Sequence, residues 1–219
     1  MRTVRIACIA DTHEQAQNIP GGIPQCEILV HAGDITLDGE YDKLLRFNDW
    51  GGKIFLPEDR KICIAGNHDK TLEGDIETAR ACLPNWTYLQ DEGHEVMGLK
   101  FWGTPWSAEF HPEDWGFQLE RGEKAKAQWE TIPDDTDVLV VHGPPFGYGD
   151  KLERGEHVGC RELAHRLMDV KPLLTICGHV HTDPGVFAAP WGTVVNAATM
   201  TDGYKPKRKP IVVTLRVPG

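Results

Sequence analysis

Five short apolar segments of this 219-residue chain each run into polar residues that could bind a metal ion or transfer a proton. The five polar groups are Asp11-Thr12-His13, Gly33-Asp34, Gly66-Asn67-His68-Asp69, His142-Gly143 and Gly178-His179-Val180-His181. Any one of them alone would be typical of a turn, a helix cap or a hydrogen-bonded surface residue. Five in one chain are hard to obtain by chance, and buried charged groups need a partner or a metal. The pattern therefore indicates one shared polar site.

The donors in these groups are carboxylates, an amide and imidazoles, and none of the six cysteines falls among them. This set disfavours a cysteine-bound structural zinc or an iron–sulfur site, and it favours manganese, iron, zinc or magnesium. Seven donors are more than one tetrahedral ion needs, and they suit two ions that share a carboxylate. The candidate metal ligands are Asp11, His13, Asp34, Asn67, His142, His179 and His181.

The segments before these groups have the pattern of strands that are covered on both faces, because most are continuous apolar runs. Predicted strands cover residues 4–10, 28–32, 62–65, 96–102, 138–141, 173–177, 193–197 and 211–217. Predicted helices begin near Tyr41 and cover residues 76–82, 123–131 and 161–168. Strands that alternate with helices predict a layered α/β fold, in which ligands bind at the carboxyl ends of strands. An extended segment there would point alternate residues, such as Asp11 and His13, the same way.

Composition sets limits on the class of protein. Hydrophobic residues make up 40% of the chain and charged residues 26%, which is globular composition. The net charge of −10 disfavours stable binding to nucleic acid or to an anionic membrane surface. No apolar stretch is long enough to span a membrane, and the first residues lack the pattern of a signal peptide. We expect a cytoplasmic protein with one domain over residues 1–219, since no linker or repeat divides it.

The five groups, in this order, resemble the motifs of the calcineurin-like metallophosphoesterases, which are D-x-H, G-D, G-N-H-[DE], H and G-H-x-H. Every element is intact between Asp11 and His181. The strings His31-Ala32-Gly33-Asp34 and His142-Gly143-Pro144-Pro145 are similar to the metallophosphoesterase-domain-containing, class III-like phosphodiesterases. The resemblance implies an α/β fold, specifically a four-layer α/β/β/α sandwich of two mixed sheets flanked by helices.

The resemblance also implies how the ligands divide between two divalent ions. One ion would be held by Asp11, His13, Asp34 and His181, and Asp34 would bridge to a second ion that Asn67, His142 and His179 complete. A hydroxide that bridges the two ions would attack phosphorus in line, without a phosphorylated enzyme intermediate. Manganese is the expected metal, with iron, zinc or magnesium as alternatives.

Two residues that follow the ligand Asn67 are the candidate catalytic residues. We expect His68 to point toward the substrate and to act as a general acid on the leaving oxygen, a role typically worth about 10²–10⁴-fold. Asp69 either orients His68 or caps the following turn, and the sequence leaves both interpretations open.

Charge favours one class of substrate. Two divalent ions, two aspartates and one hydroxide leave a net charge of about +1, which a phosphodiester monoanion neutralises. We therefore expect a phosphodiesterase that acts on small phosphodiesters or nucleotides, including cyclic nucleotides. The alternatives are a phosphomonoesterase or nucleotidase on the same site, and a metal-binding homologue with little turnover. The loop aromatics Trp106, Trp115 and Phe146 either stack on a nucleobase or pack within the protein.

Overall fold

The computed structural model describes residues 2–110 and 115–217. The strands are β1 (Arg2–Ile9), β2 (Ile28–Ala32), β3 (Lys61–Ile64), β4 (Thr87–Tyr88), β5 (Glu92–Val96), β6 (Leu99–Thr104), β7 (Ser107–Ala108), β8 (Gln118–Leu119), β9 (Val138–Val141), β10 (Leu174–Cys177), β11 (Gly185–Ala189), β12 (Gly192–Asn196) and β13 (Ile211–Val217). The α-helices are α1 (Tyr41–Gly52), α2 (Ile76–Cys82), α3 (Glu123–Trp129) and α4 (Arg161–Val170). None of these helices combines the length and the apolar character that a membrane crossing would need.

Two large mixed sheets carry the fold. The first has the strand order β13-β1-β2-β3-β4, in which β1 to β4 pair in parallel and β13 runs antiparallel to β1. The second has the order β11-β12-β10-β9-β6-β5, with four parallel strands in the middle and an antiparallel strand at each edge. In each sheet the parallel strands end at one edge, and that edge can collect the residues that follow them.

The main core lies between the two sheets. It contains fully buried side chains from the first sheet, such as Ile6 and Val30, and from the second, such as Val138 and Ile176. Helices α1 and α2 cover the outer face of the first sheet, and α3 and α4 cover that of the second. Both faces of the central strands are therefore covered, which explains their continuous apolar sequences. The predicted four-layer sandwich of two mixed sheets flanked by helices is confirmed.

One predicted strand is wrong. Residues 96–102 do not form a single strand, because the chain turns at Met97-Gly98 and β5 pairs antiparallel with β6. Both turn residues have positive φ, 53° and 72°, which is the two-residue hairpin geometry that glycine permits. The apolar character of Val96, Met97 and Leu99 concealed this turn. The short strands β4, β7 and β8 and the edge strand β11 were also missed.

The spacing of Tyr41, Leu44, Leu45 and Asn48 predicts helix α1, but of these only Leu44 and Asn48 lie on its buried face. Tyr41 and Leu45 are exposed, whereas Phe47 is buried with Leu44. The buried Asn48 fits that face because its side-chain oxygen accepts a hydrogen bond from the backbone N–H of Asn85. The sequence of residues 103–116 predicts a long irregular loop, but the structure places the end of β6 and all of β7 there. Residues 111–114 of that segment lie outside the described residues.

Candidate metal centre

The five polar groups follow β1, β2 and β3 in the first sheet and β9 and β10 in the second. Stacking the sheets brings these two sets of strand ends together, so residues from opposite ends of the sequence meet. The backbone N–H of His179, for example, donates to both carboxylate oxygens of Asp11, at 2.9 and 3.0 Å. All seven candidate ligands from the sequence lie in this one region.

A first cluster combines Asp11, His13 and His181, whose ligand atoms all lie within 4.8 Å of one another. Asp11 Oδ1 is 3.4 Å from His181 Nε2. His13 Nε2 is 3.3 Å from the same nitrogen of His181. One carboxylate oxygen and two imidazole nitrogens therefore converge on a single point.

A second cluster combines Asp34, His142 and His179, again within 4.8 Å. Asn67 belongs to it, because its Oδ1 lies 2.9 Å from His142 Nε2 and 2.7 Å from His179 Nδ1. Asp34 Oδ1 is 3.3 Å from His142 Nε2. This cluster offers two oxygen and two nitrogen donors.

Asp34 stands between the two clusters. Its Oδ1 faces His142, while its Oδ2 lies 3.8 Å from His13 Nε2 and 4.0 Å from His68 Nε2. A single buried carboxylate thus presents one oxygen to each side. This is the arrangement of a residue that can bridge two ions.

The hydrogen bonds around the second cluster leave lone pairs facing one another. His142 Nδ1 lies 2.9 Å from the carbonyl oxygen of Ala32, which can only accept, so Nδ1 carries the ring proton. The lone pair on Nε2 then faces two further acceptors, Asn67 Oδ1 and Asp34 Oδ1. Lone pairs that face one another at these distances repel, so the arrangement is stable only when a proton or a cation lies between the atoms. Its donor chemistry fits a divalent ion.

In the first cluster, too, a backbone carbonyl holds the ring proton of a histidine whose other nitrogen faces the cluster. His13 Nδ1 lies 3.0 Å from the carbonyl oxygen of Thr36, so the His13 lone pair is on Nε2 and points at the cluster. A ring proton held by a backbone carbonyl is the usual orientation of a metal-binding histidine.

Charges reinforce this fit. Although burial favours the neutral acid, the imidazoles of His142 and His13 hold the pKa of Asp34 well below its usual range. Although burial favours the neutral imidazole, the Asp34 carboxylate raises the pKa of His142 to about 9. The metal-free site therefore attracts a positive charge, which a bound cation would supply in place of that proton.

Local backbone conformation differs from the extended alternation predicted for Asp11 and His13. Both residues have positive φ, 52° and 40°, and Asp34 and His179 have 56° and 67°. The turn at Asp11 forms because its N–H donates to the Gly33 carbonyl and the N–H of His13 donates to the Asp34 carbonyl. Non-glycine residues in this region cost on the order of 1–3 kcal/mol each and cluster at functional sites. The two side chains converge through this turn, not through strand alternation.

Two glycines of the five polar groups are required because a carboxylate of the site lies too close for any side chain. A Cβ on Gly178 would lie 2.3 Å from Asp11 Oδ2, and one on Gly66 would lie 2.4 Å from Asp34 Oδ1. Any side chain there would displace a carboxylate of the site. These contacts give the physical reason for glycine in G-N-H-D and G-H-x-H.

His68 faces the cleft above the clusters. Its Nδ1 lies 2.7 Å from the carbonyl oxygen of Leu37, so Nδ1 is protonated in both the neutral and the charged ring. Nε2, the site of the second proton, faces Asp34 Oδ2 at 4.0 Å and the Tyr204 hydroxyl at 3.5 Å. The Trp115 ring packs against the imidazole with a centroid distance of 4.3 Å. This orientation leaves Nε2 as the atom that can exchange a proton with a bound molecule.

Asp69 lies below the site and holds two loops together. Its carboxylate accepts hydrogen bonds from the N–H groups of Ile35, Thr36 and Gly66 and from the Thr36 hydroxyl, at 2.8–3.0 Å. Burial, with the nearby Asp34 carboxylate, raises its pKa to about 6. None of its described hydrogen bonds reaches the His68 imidazole or caps the following turn. The contacts correct both sequence interpretations, since the carboxylate positions the loop after β2 against the loop after β3.

Replacing Asp69 with alanine should therefore lower stability. Each of the three buried N–H groups that loses its acceptor costs about 1–3 kcal/mol, so we expect a loss of about 3 kcal/mol or more, which lowers the Tm in thermal unfolding by roughly 6 °C or more. Asp69→Asn keeps one acceptor oxygen and should lose less. An unchanged Tm together with a large loss of activity would instead place the carboxylate in the chemistry.

Of the three loop aromatics singled out in the sequence, two pack within the protein. Trp106 packs on Phe117 and donates its indole N–H to Asp91, and Phe146 lies under the guanidinium of Arg161 at 3.7 Å. Trp115 alone lines the cleft over the site.

The cleft over the site has a volume of about 340 Å³. Its described lining residues are Asp34, Asn67, His68, Phe110, Trp115, Leu152, Val158, His179, Val180, His181, Thr182, Asp202 and Tyr204. Phe110, Asp202 and Tyr204 are among the lining residues that the sequence motifs do not predict. The last two belong to a basic segment that resembles an ordinary solvated turn, so no local signal marked them.

Comparison with known proteins agrees with this geometry. The profile of the family described as calcineurin-like phosphoesterase matches residues 4–183. The human metallophosphoesterase domain-containing protein 1 is 35% identical, and the alignment covers 98% of this chain and 72% of that protein. A UPF0046 protein of Caenorhabditis elegans is 34% identical over 95% of this chain and 74% of its own length.

Solved structures share the fold at low sequence identity. The phosphopantetheinyl hydrolase of Mycobacterium tuberculosis superposes with a TM-score of 0.61 at 14% identity, over 98% of both chains. At that identity the likeness concerns the fold alone, whereas the profile match and the 35% identity concern the family. The chain therefore belongs to the calcineurin-like phosphoesterase family, whose members hydrolyse phosphoesters with divalent metals at a dinuclear site.

Proposed function

We propose that this chain is a phosphodiesterase that hydrolyses small phosphodiesters, cyclic nucleotides among them, at a site for two divalent ions. Asp11, His13, Asp34 and His181 would hold one ion, and Asp34, Asn67, His142 and His179 the other. The observation that carries the proposal is the position of Asp34, whose two oxygens face the two clusters separately. Manganese suits this mixed set of oxygen and imidazole donors, and iron, zinc or magnesium would also be accepted.

A pair of divalent ions supplies an ionised water at neutral pH and neutralises charge on the phosphoryl oxygens. The protein supplies orientation and a proton. Backbone carbonyls of Thr36 and Ala32 fix the ring tautomers of His13 and His142, and the N–H of His179 fixes the carboxylate of Asp11. His68, held by Leu37, presents Nε2 to the cleft and would protonate the leaving oxygen from that atom.

The walls of the cleft favour a diester over a monoester. No lysine or arginine occurs among its described lining residues, and Asp202 adds a negative charge at the mouth. The buried Asp69 carboxylate adds another below Asp34. Apart from His68, whose second proton goes to the leaving oxygen, no described lining residue would offset the second charge of a monoester dianion, whereas a diester carries a single negative charge.

The size of the cleft supports a small substrate. A volume of about 340 Å³ lies at the lower end of the range for small-molecule sites, roughly 300–1,000 Å³. The acidic chain repels long nucleic-acid strands, whose binding depends on phosphate contacts to basic residues. One nucleotide or a molecule of similar size is the expected substrate.

A rate comparison tests the proposal. With added manganese, kcat/KM for bis(p-nitrophenyl) phosphate should exceed that for p-nitrophenyl phosphate by about tenfold or more, since an uncompensated charge in the cleft costs on the order of 1–4 kcal/mol. The kcat/KM values for a panel of 2′,3′-cyclic and 3′,5′-cyclic nucleotides then narrow the class of substrate. Faster hydrolysis of the monoester would indicate a phosphomonoesterase or nucleotidase, and bound metal without turnover on any ester would indicate a binding homologue. Either result would contradict the proposal.

A further inference from the structure

Two exposed aromatic rings lie beside the imidazoles of the site. Phe110 is 48% exposed and Trp115 is 36% exposed, although large apolar side chains are usually covered. The Phe110 ring lies 4.9 Å from the His179 ring, and the Trp115 ring lies 4.3 Å from the His68 ring. The two rings are 6.2 Å apart and inclined by 35°, so together they form one apolar surface, which we call the aromatic shelf.

The backbone on each side of the shelf is fixed. The N–H of Phe110 donates to the side chain of Gln118, and β7 pairs in parallel with β8. Next to Trp115, the N–H of Gly116 donates to the carbonyl of Asn67 at 3.0 Å. A Cβ on Gly116 would lie 2.6 Å from Lys70 Cα, so the backbone at Gly116 packs closely against the loop after β3. A surface fixed in this way loses little conformational freedom when a ligand covers it.

The rest of the cleft defines what the shelf can accept. Leu152 and Val158 add apolar surface, and no lysine or arginine is among the described lining residues. A second charged phosphate would therefore find no basic side chain among these lining residues. A flat, uncharged ring would cover both aromatic side chains and gain offset-stacked contacts with them.

The position of His68 determines which part of the substrate reaches the shelf. In the proposed function, on which this inference rests, His68 protonates the leaving oxygen. Because Trp115 packs against the same imidazole, the group attached to the leaving oxygen lies beside Trp115. The group that stays on phosphorus has no such constraint.

We propose that the aromatic shelf of Phe110 and Trp115 binds a planar aromatic ring carried by the leaving alcohol of the phosphodiester, and so decides which of the two ester bonds breaks. In that step, water adds its oxygen to phosphorus and the phosphorus–oxygen bond on the side of the shelf breaks. The proton from His68 Nε2 goes to the departing oxygen. For an acyclic diester, the products are the aromatic alcohol and a phosphate monoester of the other alcohol, and a proton from the attacking water restores the one that His68 has donated.

Methyl benzyl phosphate tests the shelf within a single substrate, because its two leaving alcohols are similarly basic. The wild-type protein with manganese should release benzyl alcohol in excess over methanol by about five- to tenfold, measured by proton NMR, since stacking of one ring has this effect. Trp115→Ala should bring the ratio close to one. Phe55→Ala, which removes another exposed aromatic side chain outside this cleft, should leave the ratio unchanged.

Two further diesters define the chemistry of the leaving group. Methyl cyclohexylmethyl phosphate has a ring of similar size without a π face, and it should show a smaller excess than the benzyl ester. Methyl choline phosphate carries a quaternary ammonium group, which aromatic rings can also bind. A larger excess for the choline ester that Trp115→Ala abolishes would assign a cation site and overturn the planar-ring proposal, because the greater acidity of the choline alcohol raises the excess equally in both proteins.

The outcomes separate the shelf from the proposed function. Release of neither alcohol, with both metals bound, would contradict the phosphodiesterase function itself. In that case, calorimetric binding of benzyl methylphosphonate to wild type and Trp115→Ala still tests the shelf, and equal affinities would overturn it. Equal release of the two alcohols by an active wild-type protein, or an unchanged excess in Trp115→Ala, would overturn the shelf alone.

Discussion

Replacing Asp34 with alanine should abolish activity and remove bound metal together. The carboxylate is the only described group that faces both ligand clusters, so its loss deprives each ion of a ligand. We expect metal content to fall from two ions per chain to fewer than one. Activity should fall on the order of 10³-fold or more, because the several kcal/mol of charge stabilisation by the ions disappears. Elemental analysis and steady-state rates measure the two effects.

A second aspartate serves as the control. Asp202 lines the same cleft but belongs to neither ligand cluster, so Asp202→Ala should keep both ions. Thermal unfolding of both variants checks that the fold survives, since Asp34 also accepts a hydrogen bond from the N–H of His68. Full metal content and full activity in Asp34→Ala would contradict the bridging assignment.

Replacing His68 with alanine should separate metal binding from catalysis. The His68 Nε2 atom lies 4.0 Å from Asp34 Oδ2, the Leu37 carbonyl holds Nδ1, and the ring packs against the rings of His13 and Trp115. Both proposed ligand sets are complete without this ring. We expect both ions to stay bound. Activity should fall about 10²–10⁴-fold on diesters with a poorly leaving alcohol, which needs protonation, and much less on a p-nitrophenyl diester, which does not.

The dependence on the leaving group is the informative readout. A merely structural role for His68 would reduce the rates for both kinds of ester by the same factor. His165→Ala removes an exposed imidazole from α4 and should leave both rates unchanged. Equal losses on both esters, or loss of a metal ion, would exclude His68 as the general acid.

Much of the fold followed from the sequence because burial on both faces leaves a clear signal. The continuous apolar runs of β2 and β9 were predicted at their observed bounds, and α2 was predicted at Ile76–Cys82. The hairpin at Met97-Gly98 and the edge strand β11 were not predicted, and apolar residues on both sides of the turn hid the hairpin. Two-residue strands such as β4 are too short for any periodicity to develop.

The candidate ligands were also predictable, because each is a metal-binding residue type that follows a strand. The backbone conformation that brings their side chains together was not predictable. The left-handed conformations of Asp11 and Asp34 depend on hydrogen bonds between loops distant in sequence. The role of Asp69 depends likewise on the amides of Ile35 and Thr36, more than 30 positions away. Sequence spacing carries no information on such contacts.

The walls of the cleft were the least predictable part. Tyr204 reaches His68 from a segment whose composition indicates a solvated turn, and Phe110 looked like any other loop aromatic. Both positions are decided by where the loops fold back onto the site. The residues that would determine substrate specificity are therefore identified only from the structure, whereas the candidate metal ligands can be identified from the sequence.

Anomalous diffraction from crystals of the manganese-loaded protein would test the central claim most directly. The account predicts two peaks about 3.5–4 Å apart, with Asp34 between them, one beside Asp11, His13 and His181 and the other beside Asn67, His142 and His179. A single peak, or peaks away from Asp34, would contradict it.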